Sequence, residues 1–140
     1  MNRTMLPGEW PGVWMTRRRT PPTSMRSPSR TIRSAGGDAV FVKTDVSREA
    51  DCKRLAAAAV ERHGKLDVLI CCAGILRGAT LQAEALDEAT FESVIDVNVK
   101  GVIFGTRAAA KRMVPRGAGH IVNFGSLASL AAVPGLCLYS

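Results

Sequence analysis

Ile121-Val-Asn-Phe-Gly-Ser126-Leu-Ala-Ser-Leu-Ala-Ala-Val-Pro-Gly-Leu-Cys-Leu-Tyr139-Ser140 is the stretch on which the reading of this chain turns. The β-type run Ile121 to Phe124 leads into Gly125-Ser126 and reads as a buried strand ending in a tight turn. A serine at the carboxyl end of a strand sits where open α/β sheets place their chemistry. Thirteen positions later, past a loop marked by Pro134-Gly135, stands Tyr139, the only tyrosine. The spacing suggests a phenol held beside a hydroxyl; the plainer alternative is that Ser126 caps a turn and Tyr139 packs.

Upstream, Leu66-Asp-Val-Leu-Ile-Cys-Cys-Ala-Gly74 is apolar almost throughout, as a parallel strand covered on both faces requires. Before it, Thr31 to Gly37 reads as a helix tail with a glycine stop, and Asp38 to Lys43 as a short strand. Ser47 is placed to cap an alanine-rich helix running to His63-Gly64, with Leu55, Ala58, Ala59 and Arg62 at helical spacing. Strand 39–43, helix 47–62 and strand 66–72 would form one βαβ unit. His63 reads as a favourable charge at a helix C-terminus rather than a catalytic base. Asp87 opens the longest helix, with Leu86 and Phe91 as a hydrophobic staple. Phe91, Val94, Ile95, Val99, Val102, Ile103 and Phe104 cover more than one of its faces, so burial on the sheet and against a second surface is expected. Asn98 interrupts that surface, and a buried amide needs partners. Pro115 and Gly117 to Gly119 end the helix before the last strand.

With 140 residues, 46% of them hydrophobic, the chain allows one domain with an ordinary core. No apolar run approaches the roughly 18 residues of a bilayer span, so no membrane partner is expected. Cys52, Cys71, Cys72 and Cys137 include no C-x-x-C and no histidine cluster, so no metal is expected. Cys71 and Cys72 point to opposite faces of a strand and read as buried thiols, which suits a reducing, cytoplasmic setting. The net charge is +7, yet residues 1–35 carry seven arginines and one glutamate, leaving 12 basic and 11 acidic groups downstream. The basic charge belongs to a tail, and no nucleic-acid partner is expected. Residues 1–30 hold five of the seven prolines, both tryptophans and Arg17-Arg18-Arg19 without any period, and are expected to be disordered beside a domain over 31–140. This tail lacks the apolar core of a secretory signal, and its prolines oppose the amphipathic helix of a transit peptide. A basic arm for nucleic acid would lack a folded reader. Non-native coding sequence, from an altered frame or a mistaken start, is the favoured account.

Taken in order, Asp45-Val46, Ala73-Gly74, Asp96-Val-Asn98-Val-Lys-Gly101, and Ser126 with Tyr139 resemble the short-chain dehydrogenase/reductase family over residues 31–140. The resemblance implies an α/β fold: an incomplete doubly wound Rossmann-type parallel sheet of about three strands with two to three helices. It implies hydride transfer between NAD or NADP and a small-molecule alcohol or carbonyl. Tyr139 would be the acid/base, Ser126 a donor to the substrate oxygen, and Asn98 the residue that bends its helix and holds a relay water. Asp45, Val46, Ala73, Gly74, Asn98 and Tyr139 would line the cofactor, with Asp45 accepting from the adenine amine. The family usually has Asn-Asn-Ala-Gly where this chain has Cys71-Cys72-Ala73-Gly74. The helix around residues 88–112 would be a homo-oligomer surface, or in a non-catalytic alternative the means of pairing with a full-length relative. The family's lysine falls four places beyond the tyrosine, past Ser140, and the 44 residues before Asp45 hold no glycine-rich turn. An inactive piece of an enzyme is therefore expected.

Overall fold

The computed structural model describes residues 28–79, 82–131 and 133–139. The stretch expected to be disordered lies outside the described residues as far as residue 27, and residues 28–30 open helix α1 (Pro28–Ser34). That helix ends on the glycine stop legible in the sequence. Gly36 takes φ 85°, its N–H donates to Arg33 O, and Gly37 N–H reaches back to Ile32 O at 3.0 Å. Two carbonyls that would otherwise lack partners are thereby satisfied.

Beyond it come α2 (Glu49–His63), β1 (Val68–Cys71), α3 (Glu88–Ile95), a π-helical turn (Asp96–Lys100), α4 (Gly101–Met113) and β2 (His120–Asn123). α3, the π turn and α4 follow one another without a break, and this long helix is the crossover that lets β1 and β2 pair in parallel. Leu69 lies opposite Ile121, and Ile70 opposite Val122. Asp87 caps α3 as expected, its carboxylate accepting Thr90 N–H at 2.6 Å. Pro115 sits in a short 3-10 turn, and Gly117, at φ 62°, ends it ahead of β2. Arg116 donates to Leu66 O and to the Asp67 carboxylate, tying the end of the crossover to the start of β1.

The core is built where α2 packs along α4. Val46, Cys52, Ala56 and Ala108 are buried together, with Leu66, Ala73, Val97 and Phe104 packed around them. Small residues set this geometry: Ala109 is fully buried, and a Cβ on Gly105 would stand 3.4 Å from Cys71 Sγ. Each buried methylene contributes about 0.8 kcal/mol, so an alanine-built interface gains less than a leucine-built one. The inward stripe of α2 is Cys52, Leu55, Ala56 and Ala59. Ala58 and Arg62 do not complete it as the sequence suggested, because Arg62 turns outward to pair with Asp38 at 2.9 Å.

Other expectations are also corrected. Segment 39–43 forms no ladder with any strand among the described residues, so the sheet has two strands and the βαβ unit that closes is 68–123 rather than 39–72. β1 is covered on one face only: Leu69 and Cys71 meet α4 at Gly105, whereas Val68 and Ile70 stay 50% and 47% exposed. With α2 stacked on α4, the helices leave the opposite face bare, and Cys71 and Cys72 are half-buried rather than fully buried. Ser47 does not cap α2; Arg48 holds that position, and Ser47 instead donates to the Asp45 carboxylate, a charged acceptor two residues back.

Candidate functional site

Because β1 and β2 are parallel, both carboxyl ends open on the same edge, and Phe124 N–H extends the ladder by donating to Cys71 O at 3.0 Å. Ala73 and Gly74 follow β1 after Cys72, with Gly74 exposed. Asn98 lies across from them. Its Oδ1 accepts Ile75 N–H at 2.9 Å and its Nδ2 donates to Ile75 O at 3.0 Å. A Cβ on Gly74 would stand 3.6 Å from Asn98 Oδ1, an ordinary van der Waals contact, so the amide lies beside this backbone. The partners required by a half-buried amide are thus the backbone of the loop after β1.

The π turn carries Asn98 at its centre, and its last hydrogen bond spans five residues, from Gly101 N–H to Asp96 O. Lys100 and Asp96 pair across it at 2.6 Å. Such turns insert one residue into an α-helix and recur at functional sites. The resemblance implied a bend at Asn98; what stands there is this π-helical turn.

Asp45 and Val46 reach the same end of the sheet. Val46 is buried against the turn, with a Cβ on Gly101 falling 3.0 Å from its side chain, and Ala73 packs on the cluster around it. Asp45 Oδ1 accepts from Ser47 N–H at 3.1 Å and from Ser47 Oγ at 2.6 Å. Its Oδ2 faces Arg48 Nε at 3.6 Å, beyond hydrogen-bond range, which leaves that oxygen able to accept from another donor. Asp45, Val46, Ala73, Gly74 and Asn98 are therefore brought together.

Ser126 and Tyr139 are not joined to them in this way. Ser126 stands just past β2 and caps the 3-10 turn Leu127–Ser129, its Oγ accepting Ala128 N–H at 3.2 Å. The Tyr139 backbone N–H donates to Leu136 O at 2.8 Å, and among the described residues no hydrogen bond links its phenol to Ser126 or to Asn98. Ser129 holds the Ser126 carbonyl from two donors, its Oγ at 2.6 Å and its N–H at 3.1 Å.

Two polar residues missed in the sequence bear on this edge. Asp51 Oδ2 accepts Asp45 N–H at 2.9 Å, and Arg54 bridges Asp51 Oδ1 and Lys43 O, both at 2.8 Å. Their only advance signal was the place of Asp51 in the first turn of α2, where an acidic side chain can reach back to free N–H groups. The Arg54 guanidinium and the Asp45 amide hold the Asp51 carboxyl below the usual carboxylate range. Buried Cys52 has its thiol pushed up to about 11 by desolvation. No group of metal-ligating side chains and no helix long and apolar enough to cross a membrane occurs among the described residues.

The family described as short chain dehydrogenase matches residues 15–140. An uncharacterised oxidoreductase of Listeria innocua is 40% identical over 110 residues, 79% of this chain and 44% of its own length. The 2-(R)-hydroxypropyl-CoM dehydrogenase of Xanthobacter autotrophicus is 37% identical over 121 residues, 84% of this chain and 48% of its own. Among solved structures, a short-chain dehydrogenase/reductase from Burkholderia phymatum in complex with NAD superimposes with a TM-score of 0.74 at 38% identity, covering 79% of this chain and 39% of that one. A gluconate 5-dehydrogenase from Burkholderia cenocepacia in complex with NADP and tartrate gives 0.72 at 32% identity, covering 79% and 43%. The chain thus spans less than half the length of these relatives.

Proposed function

The chain belongs to the short-chain dehydrogenase family, and on that premise we propose that the complete protein carrying it is an oxidoreductase interconverting a small-molecule alcohol and a carbonyl with NAD or NADP. The observation that carries this reading is the double hydrogen bond between Asn98 and Ile75, which fixes the loop after β1 beside Val46 and Asp45. The residues fit the adenosine half of a dinucleotide: Gly74 offers bare, exposed backbone, and Asp45 Oδ2 is left as an acceptor for an adenine amine. When bound, the dinucleotide supplies or takes the hydride. Tyr139 gives or takes the proton at the substrate oxygen, Ser126 Oγ donates to the same oxygen, and Asn98 holds the water that relays the proton. For Ser126 to do so, its hydroxyl proton must point outward while its lone pair keeps accepting Ala128 N–H, which the geometry of a hydroxyl permits. These 140 residues alone hold neither the lysine of the family pattern nor its glycine-rich turn, and by themselves do not turn over substrate. Four cysteines, none of them in a disulfide, support a cytoplasmic setting.

Carbonyl-dependent oxidation of NADH and NADPH by the complete protein tests this, with Tyr139→Phe as the control. A loss of several powers of ten in kcat with cofactor binding retained is expected; equal rates in both proteins would reject the assignment. A second reading is favoured by the exposed Phe91, Val99 and Ile103 on the helix 88–113: the chain pairs through this face with a full-length relative and has no chemistry of its own. Co-purification with such a relative, abolished by Val99→Lys, separates the two.

A further inference from the structure

We infer that Asp51, supported by Arg54, is a positioning residue that sets the direction of the Asp45 carboxylate at the cofactor edge. The segment before Asp45 has no ladder to hold it among the described residues, so side chains of α2 hold it instead. Arg54 Nη2 donates to Lys43 O at 2.8 Å, and Asp51 Oδ2 accepts Asp45 N–H at 2.9 Å. Between them these bonds fix the peptide groups on both sides of Thr44, whose own side chain is buried, with Oγ1 donating to Val42 O at 3.0 Å. With its backbone held, Asp45 turns Oδ1 to Ser47 and leaves Oδ2 3.6 Å from Arg48 Nε, beyond hydrogen-bond range. Arg54 also balances the charge of Asp51 at 2.8 Å, so that a second carboxylate can sit next to Asp45 without driving it away. Arg62 adds a third tie, at Asp38, farther from the site.

This inference rests on the reading of Asp45 as the adenine acceptor, and the two fail differently. The chain, labelled with nitrogen-15, is titrated with 5′-AMP, using nicotinamide mononucleotide as the control ligand. In the wild type, AMP is expected to shift the amides of Asp45, Val46 and Gly74. Asp51→Ala is expected to move the Asp45 amide in the free protein and to weaken AMP about fivefold, the scale of one hydrogen bond. Asp51→Asn keeps an acceptor for Asp45 N–H while giving up the Arg54 ion pair, and is expected to weaken AMP clearly less than Asp51→Ala. This rescue would not follow from a merely structural loss. Lys53→Ala on the same helix is expected to change nothing at Asp45. Should Asp51→Ala fail to fold, Arg54→Gln carries the test, with a weakening of AMP again expected. AMP affinity unchanged in Asp51→Ala and Arg54→Gln would overturn the inference and leave the dehydrogenase reading standing. Absence of any AMP shift at Asp45 in the wild type would overturn the adenine reading and the inference with it.

Discussion

Asn98 and Ile75 exchange two hydrogen bonds across 23 positions of sequence, at 2.9 and 3.0 Å, so that a side-chain amide in the π turn completes the backbone of the loop after β1. The pairing ties three things to one point. The turn that admits Asn98 also presents Gly101 to Val46, and the residue it satisfies, Ile75, directly follows the exposed Gly74. A change in helix register at this place would release both the loop and the Asp45-Val46 corner.

Asn98→Leu should therefore cost more than a surface substitution. It strips the partners from a half-buried N–H and carbonyl at once, at a cost of about 1–3 kcal/mol for groups left unsatisfied. Asn98→Asp should keep the acceptor for Ile75 N–H but set its second oxygen against Ile75 O, so it should recover stability at low pH, where the protonated carboxyl can donate to that carbonyl. Urea midpoints of the two variants in the complete protein, at pH 4 and pH 7, check this; midpoints equal to wild type in both would mean that water replaces the amide.

Gly101→Ala tests the contact on the other side of the turn. Its Cβ would lie 3.0 Å from Val46 Cβ and Cγ2, so the buried Val46 must yield by a few tenths of an ångström, and overpacking of this kind costs about 1–3 kcal/mol. Val46→Ala alone should also destabilise, by leaving a gap. The double variant should recover stability relative to Gly101→Ala, giving a coupling energy that a thermal-unfolding cycle measures.

The glycine stop after α1, the Asp87 cap and the turn at Ser126 after β2 were all legible because each is local: a few adjacent residues decide the conformation. Residues 39–43 have the β-type composition of a strand, yet a ladder depends on a neighbour that composition does not supply. The two-sided burial expected of β1 failed for the same reason, since α2 covers α4 and not the face of Val68 and Ile70. In the site, Asn98 was recognisable as an amide in an apolar surface, but not Ile75, because a backbone partner leaves no mark in sequence. Asp51 and Arg54 looked like an ordinary exposed pair on a helix; only the path of residues 43–45 past them gives the pair its role.

Thiol chemistry should sort the cysteines by burial. Exposed Cys137 should react first with iodoacetamide at pH 8, and Cys52, with its thiol pushed up to about 11, only on unfolding. The same shift has a sign in stability. A folded-state pKa raised above the ordinary 9.0 leaves stability unaffected below pH 9 and reduces it as pH rises towards 11, because the unfolded chain gains the thiolate first. Cys52→Ala should flatten that alkaline limb. Mass spectrometry of the alkylated chain and unfolding midpoints between pH 8 and 11 are the measurements.

The acid side should show the opposite dependence at Asp67. Hydrogen bonds from Arg116 and then Lys65 hold its carboxyl below the ordinary 3.8. A lowered folded-state pKa means that the contribution is present above pH 3.8 and disappears as pH falls through the lower folded value. Since Asp67 is half exposed, solvent screening keeps the effect small. Asp67→Asn should remove this part of the acid limb without altering the neutral plateau by more than the Arg116 pairing itself.

Ser126 has two duties that substitution can separate. Its Oγ accepts Ala128 N–H at 3.2 Å, so Ser126→Ala should destabilise the turn by about 1 kcal/mol, the usual effect of losing an N-cap. Asp at the same position can still accept that N–H and should restore the turn, but it has no proton to give a substrate oxygen when ionised. Tyr139 touches the fold through its backbone N–H to Leu136 O, which Tyr139→Phe leaves in place. In the complete protein, Ser126→Ala should therefore lower both the unfolding midpoint and kcat. Ser126→Asp should recover the midpoint while kcat stays low, and Tyr139→Phe should lower kcat with the midpoint unchanged. Recovery of kcat in Ser126→Asp would show that Ser126 serves only the turn, and the donor to the substrate oxygen would have to be sought elsewhere.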